Sequence, residues 1–262
     1  MKLTDPWFSL LDPEATRPKV RAFPAPPPAD GSPIPVWSLR FRRWQACPRG
    51  GHPGLPDLEG GPDPEHFQAA RWRAQALRFL LRHGPGDPGF DRWFYRQVPT
   101  HLHDRLAPEL FAIRHWWPPV PDGWLKSAVE RYRVTWGNLQ LRGTTDLRFG
   151  SFQGPKQKAV LLKFTTSEQP ALEPWAAYNL VVAWASQGHT PWRSAVFSLT
   201  TGTMYAVAAD HPEVTRTLQD LERLHQVAHT SPEDAPARPG SWCSGCPLWD
   251  ACEERAAWFS SR

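Results

Sequence analysis

Apolar residues recur at Phe67, Ala70, Ala74, Leu77 and Leu81, a spacing that predicts a helix from Glu65 to His83. The glycines and prolines of "HGPGDPGF" stop it. Residues 90–117 read as helical but broken. Upstream, "VWSLRFRRWQACP" predicts a short helix ending at Pro48, with Leu39, Phe41 and Trp44 facing inward. The period then changes. Tyr132, Val134 and Trp136, followed across "GN" by Leu139 and Leu141, predict a β-hairpin. "KAVLLKFTT" reads as a strand buried on both faces. "LEPWAAYNLVVAWASQGH" predicts an apolar helix closed by Gly188. "RSAVFSLTTGTMYAVAAD" predicts a second hairpin turning at "TTG". "HPEVTRTLQDLERLHQVAHT" is an amphipathic helix with Val214, Leu218, Leu221 and Leu224 on one face. Helices, hairpin, strand, helix, hairpin and helix in that order imply an α/β fold with a mixed central sheet.

Proline density divides this pattern. Residues 1–36 include "RAFPAPPPADGSPIP", which favours an extended, loosely packed arm. Residues 37–254 then form one domain: a helix bearing Cys47, a helical insert at about 65–130, a core at about 131–230 and a cysteine knot at 240–254. No segment repeats. No apolar run reaches the roughly 20 residues of a membrane span, and no secretory leader is legible, so a cytoplasmic protein is expected.

Charge changes the picture modestly. The chain carries a formal net charge of +4 and is rich in arginine. Arg40, Arg42 and Arg43 crowd the Cys47 helix; Arg71 and Arg73 open the next one. Arginine interleaved with aromatic residues suits phosphate contact and base stacking. These five are the candidate nucleic-acid contacts, although charged helix faces are also ordinary solvated surface. Most of the 15 tryptophans are expected in the core or interfaces.

Three of the four cysteines, Cys243, Cys246 and Cys252, crowd "SWCSGCPLWDACEE", and Cys47 stands far upstream. In a reducing compartment such a group binds metal more often than it forms disulfides. A zinc knuckle would want a second C-x2-C or a histidine pair, and His225 and His229 precede the linker. Three closely spaced thiolates plus a remote fourth suit an iron–sulfur cluster. Free buried cysteines are the third alternative.

A helix ending in cysteine–proline, followed much later by C-x2-CP-x4-C, resembles the iron–sulfur branch of the PD-(D/E)XK nucleases, which includes RecB-like, AddB and CRISPR-associated exonuclease domains. The resemblance covers about residues 36–254. It implies a restriction-endonuclease-like core whose chain ends are joined by a 4Fe-4S cluster on Cys47, Cys243, Cys246 and Cys252. It also implies DNA as partner, single-stranded or with free ends. "LRGTTDL" resembles the first acidic motif, so Asp146 would ligate magnesium or manganese. The next motif, acid–x–lysine, meets "AVLLKFTTS". Either Lys163 keeps the lysine place and Leu161 replaces the acid, or Lys163 stands in the acid's place. Asn179 takes the place of the family's glutamine, and Ala74 or Gln75 that of an early histidine. Glu168 and Glu173 are candidate replacement carboxylates.

The resemblance therefore implies a catalytically degenerate DNA-binding protein of repair, recombination or a helicase–nuclease assembly. Asp146 and Lys163 are the remnants of its site. The alternatives are an active metal-dependent exonuclease with a rearranged site and a non-enzymatic scaffold subunit. No Walker motif is present, so any helicase motor would be another chain.

Overall fold

The structure is a computed structural model that describes residues 6–11, 22–55, 64–151, 158–166 and 172–260. Its centre is β3 (Leu139–Ser151), a 13-residue strand. β2 (Leu125–Trp136) pairs antiparallel with β3 from end to end. β1 (Ile34–Trp37) runs parallel to residues 139–142, and β4 (Lys158–Thr165) antiparallel to residues 147–151. Since β2 fills one edge of β3, β1 and β4 share the other. Residues 143–146 lie in the fork between them. β5 (Arg193–Ser198) adds in parallel to β4, and β6 (Met204–Ala208) antiparallel to β5. The result is the mixed sheet expected from the sequence.

Helices cover both faces, which is why β4 is nearly continuous in apolar residues. Leu161 and Val196 enter a first core with α2 (Ser38–Ala46), α6 (Glu173–Gln187) and α7 (Pro212–Val227). Val160, Leu162 and Phe164 enter a second core with α1 (Pro6–Leu11), α3 (Pro64–His83), α4 (Gly89–Gln97) and α5 (His103–His115). Residues Ala176 to Trp184 of α6 are all buried, since sheet and neighbouring helices surround it. Gly188 ends α6 in the left-handed conformation, φ 70, as its position predicted. Gly137 has φ 56 in the β2–β3 turn, where a Cβ would meet the His225 ring at 2.8 Å.

Alternation along β3 breaks at its middle. Leu139 and Leu141 enter the first core, but Leu147 and Phe149, further along in the same parity, enter the second. Thr145 and Asp146 are consecutive and both buried. The β2–β3 pairing skips Asp146 and Val129, and Val129 has a φ of 56, unusual for a β-branched residue. This local twist lets one strand serve both cores, and it places a carboxylate at the fork.

Several expectations need correction. The proline-rich arm is not merely loose: Trp7, Leu10 and Leu11 are buried in the second core, with Trp7 stacked on Phe197 at 5.1 Å. Its end is clamped where Asp30 N–H donates to Asn138 Oδ1 at 3.0 Å. The boundary near residue 36 falls inside β1, a strand the sequence reading had assigned partly to the next helix. β2 begins at Leu125, inside the span expected to be helical. On α3 the inward stripe is Ala69, Ala76, Leu77 and Leu80, whereas Phe67 and Ala70 are exposed. Leu39 is exposed too, on a helix that buries Phe41 and Trp44.

Candidate functional site

The fork in the sheet holds a closed network of charges. Asp146 is buried, with only 3% of its side chain exposed. The Arg73 guanidinium, from α3, reaches both its oxygens, with Nη2 2.9 Å from Oδ2. Lys163 Nζ, from β4, donates to Oδ1 at 3.0 Å. The backbone N–H of Phe164 donates to Oδ2 at 2.8 Å. That last bond has a structural reason. The β3–β4 pairing ends at Leu147 and Leu162, and the Asp146 side chain serves the amide beyond it. Glu109 of α5 takes the remaining Nε of Arg73. One guanidinium thus bridges two carboxylates from different elements.

Burial opposes charge on Asp146, yet Arg73, then Lys163, then the hydrogen bonds outweigh it. The carboxyl is held well below the usual carboxylate range. Arg73 is buried as well, and its two carboxylates restore what burial costs, raising its pKa above the ordinary arginine value. Both groups are charged and mutually compensated.

Lys163 and Asp146 meet across the sheet. Leu161, two residues earlier, is fully buried in the first core. No carboxylate stands at that position. Arg73, not Ala74 or Gln75, is the α3 residue that faces the fork. It lies within the inward stripe, four residues after Ala69 and three before Ala76. A polar residue in an apolar stripe was the legible signal; Glu109 left none. Glu173 begins α6, and Glu168 lies outside the described residues. On α6, Asn179 is buried beside Gly143, and its amide nitrogen has no partner among the described residues. The neighbouring Tyr178 hydroxyl lies 2.8 Å from the Val36 carbonyl and 3.2 Å from that of Arg142, fastening α6 to β1 and β3.

The second site is a cavity of about 600 Å³ lined by Cys47, Cys243, Cys246 and Cys252. Cys47 caps the end of α2, its N–H donating to the Arg43 carbonyl at 2.7 Å. The other three come from the short helical turn Ser241–Gly245 and the residues after it. The backbone amides of Gly50 and Arg238 donate to Cys47 Sγ at 3.4 and 3.3 Å. That of Gly240 donates to Cys243 Sγ at 3.3 Å. Gly50 leaves room at the wall, since a Cβ there would stand 3.1 Å from Cys246 Sγ. Burial pushes the Cys246 thiol up, and the other three cysteines push it the same way. Arg49 ties the two chain regions together, donating to the Ala235 carbonyl at 2.9 Å and pairing with Glu254 at 2.8 Å. Among the described residues, no three of His, Cys, Asp and Glu gather as a site for a single metal ion. The thiols ring a space rather than a point.

The arginines expected to contact nucleic acid are distributed differently. Arg40 donates to the Pro53 and Leu55 carbonyls at 3.0 and 3.2 Å and lies over the Trp37 ring. Arg42 lies over Trp175, and burial lowers its pKa. Arg42 and Arg43 line the cysteine cavity. Arg73 is committed to the fork. Of the five, Arg71 is the one classed as exposed. No helix among the described residues is long and apolar enough to cross a membrane.

Comparison with known proteins places this geometry. A family model described as the PD-(D/E)XK nuclease superfamily matches residues 54–253. No curated protein matches. Among solved structures, that of SSO0001 is similar, with 10% identity, a TM-score of 0.35, and coverage of 86% of this chain and 88% of that one.

Proposed function

This chain belongs to the PD-(D/E)XK nuclease superfamily, and from that premise we propose that it is a DNA-binding member whose cleavage site has closed. In this reading a 4Fe-4S cluster joins its chain ends. The observation that carries it is the saturated carboxylate. Both Asp146 oxygens are taken by Arg73, Lys163 and the Phe164 amide, and Leu161 stands where a second acid would be needed. A divalent cation does not fit such a set. It would have to displace a buried guanidinium, and leucine offers it no oxygen. Arg73 supplies the positive charge that a metal would otherwise bring.

The cysteine site fits its group. Four thiols line one cavity, two sulfurs already accept backbone amides, and Gly50 keeps the wall clear. Four thiolates from both chain regions match the donor set of an iron–sulfur cluster. Bound there, the cluster would partly offset the charge of the thiolates and hold the Cys47 helix to the C-terminal region. DNA binding follows from the superfamily and from the excess of arginine. A setting in repair, recombination or a helicase–nuclease assembly is consistent with both.

The test is incubation of anaerobically purified protein with labelled single- and double-stranded DNA and manganese. Binding without degradation is expected. Robust degradation abolished by Asp146→Ala would overturn the reading in favour of an active nuclease. Zinc in place of iron in the purified protein would overturn the cluster.

A further inference from the structure

Three strands share a face that neither core uses. In the register of β1, β3 and β2, Trp37 lies beside Arg142, and Arg142 beside Arg133. Val36, Leu141 and Val134, one step earlier or later on the same strands, pack in the first core. Trp37, Arg142 and Arg133 therefore point the other way together. Arg131, two residues from Arg133, shares their face. The three arginines are exposed and Trp37 is half-buried. The Arg40 guanidinium lies 4.6 Å from the Trp37 ring centroid.

Among the described residues, no acid at these register positions balances this surface. Its other positions in these registers, Pro35, Gln140, Thr135 and Thr144, are uncharged. Arg142 Nε donates to Gln140 Oε1 at 3.0 Å, a neutral acceptor. Among the described residues Arg131, Arg133 and Arg142 form no ion pair. Like charges directly opposite across a ladder repel, and Arg133 and Arg142 are such a pair. An external polyanion would relieve that repulsion.

We propose that this face is a platform for single-stranded DNA, with Trp37 stacking on an unpaired base and Arg131, Arg133 and Arg142 holding flanking phosphates. Arginine forks match phosphate oxygens, and an aromatic ring beside a basic track is what sequence-tolerant single-strand binding requires. An acidic peptide would use the arginines but gain nothing specific from the ring. In a duplex the base faces are stacked away from it. The inference rests on the DNA-binding reading above and locates it on the β1–β3–β2 face, which Arg40 adjoins over the Trp37 ring.

The experiment measures binding of the full chain to a labelled oligothymidine by fluorescence anisotropy across a salt series. The variants are Arg131→Ala/Arg133→Ala/Arg142→Ala, Trp37→Leu and Trp37→Phe, with Arg78→Ala/Arg82→Ala on exposed positions of α3 for comparison. Circular dichroism checks each fold. The triple variant should lower the slope of log affinity against log salt by about 2. Trp37→Leu should weaken binding about tenfold, and Trp37→Phe should keep most of it. The α3 variant should bind as the parent does. A parent that binds while the triple variant keeps its affinity and slope overturns the assignment and leaves DNA binding standing. A parent that binds no DNA overturns both. Tighter binding to duplex, indifferent to Trp37→Leu, overturns the single-strand platform.

Discussion

The fork and the cysteine cavity are both polar sites set into an apolar body, and they handle charge in opposite ways. At the fork the chain supplies its own counter-charges. Asp146 meets Arg73 and Lys163, and Arg73 also meets Glu109. Such a network is satisfied as it stands and leaves no open valence. At the cavity four like groups converge, and the sulfurs of Cys47 and Cys243 meet backbone amides. Thiols so placed become metal ligands only as thiolates, which repel one another unless a cation joins them. One site is finished by folding; in the proposed reading the other is finished by its metal cluster.

The sharpest break of that contrast is at the clasp. Cys47→Ser should remove the visible absorbance and bound iron and leave a less soluble protein. For a closed loop this long, the lost chain-closure entropy is on the order of 5 kcal/mol. Urea titration with iron analysis checks it; an equally stable, iron-free variant would reduce the clasp to four free thiols.

Next comes the fork itself. Asp146→Ala strands the charges of Arg73 and Lys163 in a buried place, at a cost of about 3–5 kcal/mol. Chemical denaturation measures it, and iron content should be unchanged. The pH dependence has a defined sign. The folded Asp146 carboxyl titrates well below its unfolded value, so its contribution is full above the ordinary carboxylate pKa. It is lost as pH falls toward the depressed folded value. A flat acid limb in the parent, compared with Asp146→Asn, would contradict the network.

A third change asks whether internal charge is what keeps metal out. In Arg73→His with Leu161→Glu, a ligand replaces the guanidinium and an acid returns. Manganese at a hundredfold excess over its Kd should then stabilise the variant by about 2.7 kcal/mol, and the parent not at all. Thermal melts with and without manganese read the difference. No shift in the variant would mean that the shape of the fork, rather than Arg73, excludes the ion.

The smallest effect is expected at His52. His52 is buried, its Nε2 2.9 Å from the Val227 carbonyl and its Nδ1 accepting from Gly54 N–H at 3.0 Å. Burial lowers its pKa first, the Val227 carbonyl opposes that, Arg40 lowers it further and Asp234 raises it. A depressed histidine contributes stability above its unfolded pKa and loses it as pH falls below about 6.5. A shallow loss of stability over that range, absent in His52→Gln, is expected from denaturation at a series of pH values.

Much was legible beforehand. The hairpin at Gly137, the buried strand of Leu161 and Leu162, the end of α6 at Gly188 and the cysteine spacing all follow from local rules. Periodicity, positive φ and ligand count act over a few residues, so a single sequence carries them. The face of α3 was misread because Phe67 is apolar yet exposed, and hydrophobicity alone does not say which stripe meets a neighbour. Strand β1 was missed because a proline-rich, four-residue segment shows no alternation of its own; its partner β3 makes it a strand.

What the sequence alone determined is the lineage: an α/β body and four cysteines in a specific spacing. What only the tertiary structure decided is how the charges are spent. Arg73 and Glu109 lie far from Asp146 in sequence, and folding brings them within bonding distance at the fork. Arg131, Arg133 and Arg142 look ordinary along the chain and become a field only when the ladder sets them side by side. Coulomb interactions depend on distance in space, and strand register and helix packing set that distance.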